Sequence, residues 1–350
     1  MIMNSTTGEL IRVARRALGM TQEQLAVAAG LKQGPLSRYE TGAREPDEAA
    51  LGAIATALQM NAKALRDGSP FRAPLAVDAH MRRRATTRVT DWTRSESELN
   101  FYRFQVSRLF DAIDMTPTLS VPSLDPMTTP AAEGARLVRQ QWKMPIGPVD
   151  QLMRWIEAAG IIVILKELPT PRIDGLSQWI GKVPVCLVNR SAPTDRLRWT
   201  LAHELGHLVL HSGEAVTDPE QEANEFAAEF LMPETVIRPS LRNLTIDKLL
   251  PLKQQWGVSM QALIQRAFGL HVMTSEERTR MYKRFSARGW RKREPGSESL
   301  APESPELLIR VAHGLTARGL DDTDIEQITG VACGNPLQIL PRPQPRLRAL

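Results

Sequence analysis

The sequence predicts a multidomain chain: a compact all-α domain, then an α+β domain with a small sheet and a helical C-terminal extension. Three observations predict it. Apolar residues in the first 70 positions recur at helical spacing between tight turns. Two short runs rich in β-branched residues, 161–165 and 183–188, lie only in the middle of the chain. Helical patterning returns from residue 194 and continues, with a basic polar interruption at 286–296, to about residue 329. A chain of 350 residues is long enough for two cores and their connections.

Composition narrows the class. No apolar run approaches the roughly 20 residues of a membrane helix, so no membrane partner is expected. The start lacks the apolar stretch and cleavage site of a secretory signal, and Cys186 and Cys333 offer no disulfide framework, which points to the cytoplasm. A net charge of +5 permits a nucleic-acid partner without requiring one.

Taken in order, the expected organisation is an all-α domain over 1–70, a linker containing a helix over 71–130, an α+β domain over 131–272, a helical region over 273–340 and a disordered tail over 341–350. The linker is proline-rich with a basic cluster at Arg82, Arg83, Arg84 and Arg88, and its helix is expected near residues 96–113. The α+β domain opens with amphipathic helices over 131–142 and 149–159, stopped by Gly160. Strands are expected at 161–165 and 183–188, with 174–180 between them.

In the first domain, Thr21 is placed to cap a helix over 22–29 that ends at Gly30. A second helix then starts within Lys32 to Pro35, and Pro35 is compatible with a start at Gly34 or Pro35, since proline suits a first helical turn. Helix, short turn, helix is the unit that reads DNA. Leu36 and Tyr39 are spaced to face the core, which leaves Gln33, Ser37 and Arg38 for base edges in the major groove. Gln22 at the preceding helix start is placed for a phosphate. The segment 20–58, MTQEQLAVAAGLKQGPLSRYETGAREPDEAALGAIATAL, resembles the XRE (Cro/C1-type) helix-turn-helix family. That resemblance implies five helices, a recognition helix near 33–40 and dimeric binding to a palindromic operator. Residues 1–70 carry eight basic against seven acidic side chains, a balance that favours modest DNA affinity unless the domain dimerises.

The block WTLAHELGHLVLH over 199–211 contains His-Glu-x-x-His. Residues four apart share a helix face, so His203 and His207 can hold one Zn2+ with Glu204 beside them as general base. His211 lies about 12 Å along the axis from His203, too far to share the ion. A catalytic zinc needs a third protein ligand, and DPEQEANEFAAEFLMP over 218–233 offers Glu222, Glu225 and Glu229, between which spacing does not choose. RLRWTLAHELGHLVLH followed by EANEFAAEFLMP resembles the ImmA/IrrE metallopeptidase family over about 131–268. The resemblance implies a zincin-like zinc endopeptidase domain, Glu222 as third ligand, Glu225 and Glu229 as surface or supporting residues, and XRE-type repressors as protein substrates.

Strand 183–189 is expected to offer an edge for an extended peptide. Arg196, Arg198 and Trp199 are expected to brace the zinc helix, and His80 and His271 to be ordinary surface or packing histidines. The basic run 286–296 is read as solvated charge or a nucleic-acid contact. The sequence therefore favours a DNA-binding regulator with zinc-dependent endopeptidase activity. The alternative is a non-enzymatic XRE-family regulator or antitoxin-like protein whose second domain is a sensor; an intact Glu204 favours the enzyme.

Overall fold

The computed structural model describes residues 6–68, 88–211, 218–291 and 293–342. The whole 69–87 segment, with His80 and the basic cluster Arg82–Arg84, and the tail after Arg342 lie outside the described residues.

Five helices open the chain: α1 (Thr6–Ala17), α2 (Gln22–Ala28), α3 (Gln33–Glu40), α4 (Glu48–Leu58) and α5 (Ala62–Asp67). Thr21 caps α2 through a reciprocal capping box with Gln24, as its position before the apolar run predicts. Helix α3 begins at Gln33, inside the expected window of 32–35, with Pro35 in the first turn, where its missing N–H leaves no bond unmade. Leu25, Leu36, Tyr39, Leu51 and Ile54 fill the core between these helices.

The helix expected at 96–113 is longer, α6 (Val89–Ala112), and buries Leu99, Phe101, Phe104, Val106 and Leu109. Next come α7 (Ala131–Gln141), α8 (Leu152–Ala158), β1 (Ile162–Lys166), β2 (Gly175–Ile180) and β3 (Val183–Asn189). The chain then runs through α9 (Thr194–Leu210), α10 (Pro219–Leu231), α11 (Glu234–Leu241), α12 (Ile246–Trp256), α13 (Met260–Gly269), α14 (Ser275–Ala287), α15 (Leu307–Ala317) and α16 (Asp322–Thr329).

The sheet has the order β1-β3-β2, with β1 parallel and β2 antiparallel to β3. Strand β3 is therefore central, a correction to the expectation that 183–189 is an edge. Its nearly continuous apolar run fits burial on both faces. Side chains alternate across a strand, and the alternation divides the sheet between two cores. Val163, Cys186 and Val188 face α7–α10 and the helices after them, while Ile162, Leu176, Ile180, Val185 and Leu187 face the side that holds α1–α6.

Ala312, Leu315, Ile325, Val331 and Leu337, at the end of the described chain, also join the second core. Val331 forms a bridge with Met60, and Asn335 Nδ2 donates to the carbonyls of Leu58 and Gln59. Gln105 of α6 bonds the backbone of Leu337 and Ile339.

Candidate metal centre

Helix α9 is anchored before it reaches the site. Asp195 in its first turn accepts from the buried Lys253, which Glu294 also binds. Arg198 donates to the carbonyls of Gly257 and Val149 and pairs with Glu303, while Arg196 pairs with Asp174. These contacts brace the helix as expected.

Two turns on, His203 Nε2 and His207 Nε2 face each other at 3.1 Å. Glu220 completes the group, its carboxylate 3.7 Å from His203 Nε2 and 3.5 Å from His207 Nε2. Among the described residues these are the three whose donor atoms gather closely enough to hold one ion. Each imidazole is steered from behind: His203 Nδ1 meets Asn224 Oδ1 at 3.2 Å, and His207 Nδ1 meets His211 Nδ1 at 2.9 Å. His211 Nε2 in turn meets Glu222 Oε2 at 3.0 Å. With protons on the outward nitrogens, both Nε2 lone pairs point inward toward each other and the Glu220 carboxylate, the arrangement two metal-ligating imidazoles take. Burial, then the nearby His207, pushes the His203 pKa down to about 4, so its imidazole is neutral near pH 7.

Glu222, the third ligand implied by resemblance, is thus on His211, and Glu220 is the carboxylate at the two imidazoles. Both glutamates belong to the first turn of α10. Two residues turn a helix by roughly 200°, so only one can aim at a given point on α9. The aim follows from close packing. A Cβ on Gly206 would lie 3.1 Å from Phe226 Cβ and 3.2 Å from Ala223 Cα, which sets α10 against the α9 backbone with the Glu220 and Asn224 side turned to the histidines. Glu229 is buried in a salt bridge with Arg266, and Glu225 accepts from Gln221 at the surface.

Glu204 is 6% exposed and accepts from Ser177 Oγ at 2.5 Å, across the gap to β2. Burial pushes its carboxyl up to about 8 against the lowering effect of that bond, and the Glu220 and Asp174 charges add to the rise. A Cβ at Gly175 would meet Thr200 Cγ2 at 2.6 Å, so glycine lets β2 lie close enough for Ser177 to reach Glu204. Trp179 Nε1 donates to the Leu208 carbonyl further along the same face.

In antiparallel pairing, alternate residues turn their backbone groups outward. The Asn189 N–H bonds the Asp174 carbonyl, which puts the even-numbered residues of β2 on β3 and turns Gly175, Ser177 and Trp179 to the free edge. Arg103 already donates to the Trp179 carbonyl. The free edge beside the histidines is that of β2, and the sequence reading missed it because pairing order is not visible in strand composition.

In the first domain Gln33 and Arg38 are exposed and Ser37 is half-buried on α3. Gln22 opens α2 as expected, and its side chain is bonded on both sides: its Nε2 donates to Glu40 and its Oε1 accepts from Gln33 Nε2, both at 2.8 Å. Glu40 is itself paired with the buried Arg15. A side chain bonded at both ends positions Gln33, and its amide keeps a second N–H beyond the one given to Glu40.

The Peptidase_M78 model, the IrrE N-terminal-like domain, matches residues 156–268, and a helix-turn-helix domain model matches residues 7–67. The fold and the comparison together define a helix-turn-helix protein with a second domain of a metallopeptidase family. More particularly, the chain is a fusion of a helix-turn-helix domain to an ImmA/IrrE-type domain. Vegetative-specific protein H7 of Dictyostelium discoideum is 31% identical over 70 residues, 20% of this chain and 67% of that protein. The crystal structure of ComR from Streptococcus suis is 13% identical over 94% of each chain with a TM-score of 0.18, and no likeness of fold is drawn from it. Among the described residues no helix is long and apolar enough to cross a membrane.

Proposed function

We propose that the chain is a DNA-binding regulator whose second domain is a zinc endopeptidase acting on a repressor-type protein of the XRE class. The convergence of His203, His207 and Glu220 beside the buried Glu204 carries this reading. Two imidazoles and one carboxylate make a borderline nitrogen and oxygen donor set of the kind zinc takes, and three protein ligands leave a position open. His203, His207 and Glu220 would hold the ion, which when bound supplies Lewis acidity toward water and toward a peptide carbonyl.

The remaining work belongs to the chain's own residues. Glu204 is the base that accepts a proton from the attacking water and returns it to the leaving amine. Ser177 donates to Glu204 and fixes its rotamer, while the outward backbone groups of Gly175 and Ser177 offer an extended peptide a strand to pair with. Asn224 orients His203, and His211 with Glu222 orients His207, so Glu222 supports a ligand without being one. On the DNA side, α3 presents Gln33, Ser37 and Arg38 to base edges and Gln22 holds Gln33 in register; a second copy of the chain would read the other half of a palindromic site.

Purified wild type and Glu204→Gln, each assayed for zinc and incubated with XRE-class repressors, test the enzyme reading. Equal zinc content with cleavage by the wild type alone is expected. Equal zinc with no difference in cleavage would leave a non-enzymatic regulator.

A further inference from the structure

The excess positive charge of this chain lies away from its helix-turn-helix domain. Residues 273–293 hold eight basic side chains against two acidic ones, a surplus larger than the +5 of the whole chain. The two acidic residues, Glu276 and Glu277, stand in the first turn of α14, where Glu277 closes a capping box with Thr274 and the helix dipole favours negative charge. The basic residues follow along the helix and beyond it.

Helices α13 and α14 enclose a concave surface of about 660 Å³ lined by Arg278, Lys283 and Arg291 together with Gln261, Gln265 and Tyr282. No carboxylate lines it. Among the described residues, none of these three cations has an ion-pair or side-chain hydrogen-bond partner. Two of them are nevertheless held in place: Arg278 Cζ lies 3.7 Å from the Phe268 ring centre and Arg291 Cζ 4.7 Å from that of Tyr282. A guanidinium stacked on a ring keeps its donor edge free and loses less freedom when it binds.

A membrane surface would call for exposed apolar side chains beside the charge. The apolar residues of α14, Met281 and Phe285, are buried instead, and the large exposed hydrophobics of the described residues lie on other elements.

We propose that the α13–α14 concavity grips the phosphate backbone of nucleic acid without regard to sequence, as a second contact beside the helix-turn-helix reader. The proposal rests on DNA being a partner of this chain, and it accounts for how a nearly neutral reading domain gains electrostatic affinity. Arg278, Lys283 and Arg291 contact phosphate oxygens, and Tyr282 and the glutamines line the wall behind them.

The test uses the full chain and a duplex of arbitrary sequence, with affinity followed over about 50 to 200 mM salt. The triple variant Arg278→Gln, Lys283→Gln, Arg291→Gln should lower the slope of log affinity against log salt by about 2 to 3, since each phosphate contact contributes roughly 0.9. It should bind at least about tenfold more weakly at 100 mM salt, with an unchanged melting temperature. Restoring charge with Arg278→Lys, Lys283→Arg, Arg291→Lys should restore the slope; failure to do so would mark the loss as structural and overturn the proposal. Gln33→Ala with Arg38→Ala should erase preference for the chain's own upstream region over scrambled duplex while keeping the slope, so failure of the reader and failure of this surface read out separately. An unchanged slope in the triple variant, or tighter wild-type binding to phosphatidylglycerol vesicles or polyglutamate than to duplex, would overturn it.

Discussion

Glu204 and Glu220 show how much a single position decides. The Glu204 carboxyl, pushed up to about 8 from an ordinary 4.5 by burial, keeps a proton in the folded metal-free chain that the unfolded chain releases. Folded-state stability from this group is therefore present below about pH 4.5, declines as pH rises toward 8 and then levels off. In chelator-treated protein, Glu204→Gln removes that decline, so its melting temperature should gain on the wild type between pH 5 and pH 8; parallel curves would contradict the buried charge. A metal titration separates the two glutamates of α10. Glu220→Gln should abolish tight zinc binding, whereas Glu222→Gln and His211→Phe should weaken it about 10- to 100-fold, the usual effect of losing a partner that orients a ligand. Near-wild-type affinity in Glu220→Gln with loss in Glu222→Gln would return the ligand role to Glu222. The His-Glu-x-x-His residues were legible in the sequence because their spacing lies within one helix. The choice of Glu220 was not, because it depends on the rotation of one helix against another.

Strand β2 and helix α9 form the element that carries the site. Their approach is set by Gly175, where an added Cβ would fall 2.6 Å from Thr200 Cγ2. Gly175→Val should force the strand away from α9, with a loss of about 1 to 3 kcal/mol, the usual range for an overpacked position. Thermal denaturation should show it, and peptide cleavage should fall further than zinc content because the ligands sit on α9 and α10 while Ser177 rides on β2. A variant that melts normally and cleaves normally would show that the strand can be displaced freely. The three strands and α9 were predicted within a residue or a few of their observed bounds, since each carries its own pattern of apolar residues. Which strand is central was not, because hydrogen-bond order is a long-range property.

At the scale of the whole molecule, the sheet is shared between two cores, so α9 and the helix-turn-helix side press on opposite faces of the same strands. The end of the described chain fastens the second core, with Asn335 on the carbonyls that end α4. Asn335→Ala leaves the buried Leu58 carbonyl without its Asn335 donor, while the Ala332 N–H still serves the Gln59 carbonyl, and the loss costs about 1 to 3 kcal/mol. Hydrogen exchange should speed up in α4 and α5 while the α9 and α10 amides keep their protection; equal loosening of both would mean the two cores open as one.

By itself the sequence determined which segments are helices and strands, that two histidines and a glutamate share one helix, and that a helix-turn-helix unit stands at the N-terminus. All of these are local patterns, written within a few turns of chain. Only the tertiary structure decided that Glu220 meets the histidines, that β2 is the free edge, that α6 is a core helix and that residues 330–340 return to the first domain. Each of these depends on how distant segments pack at ångström distances, through contacts such as Gly206 on Ala223, and no spacing in the sequence records that.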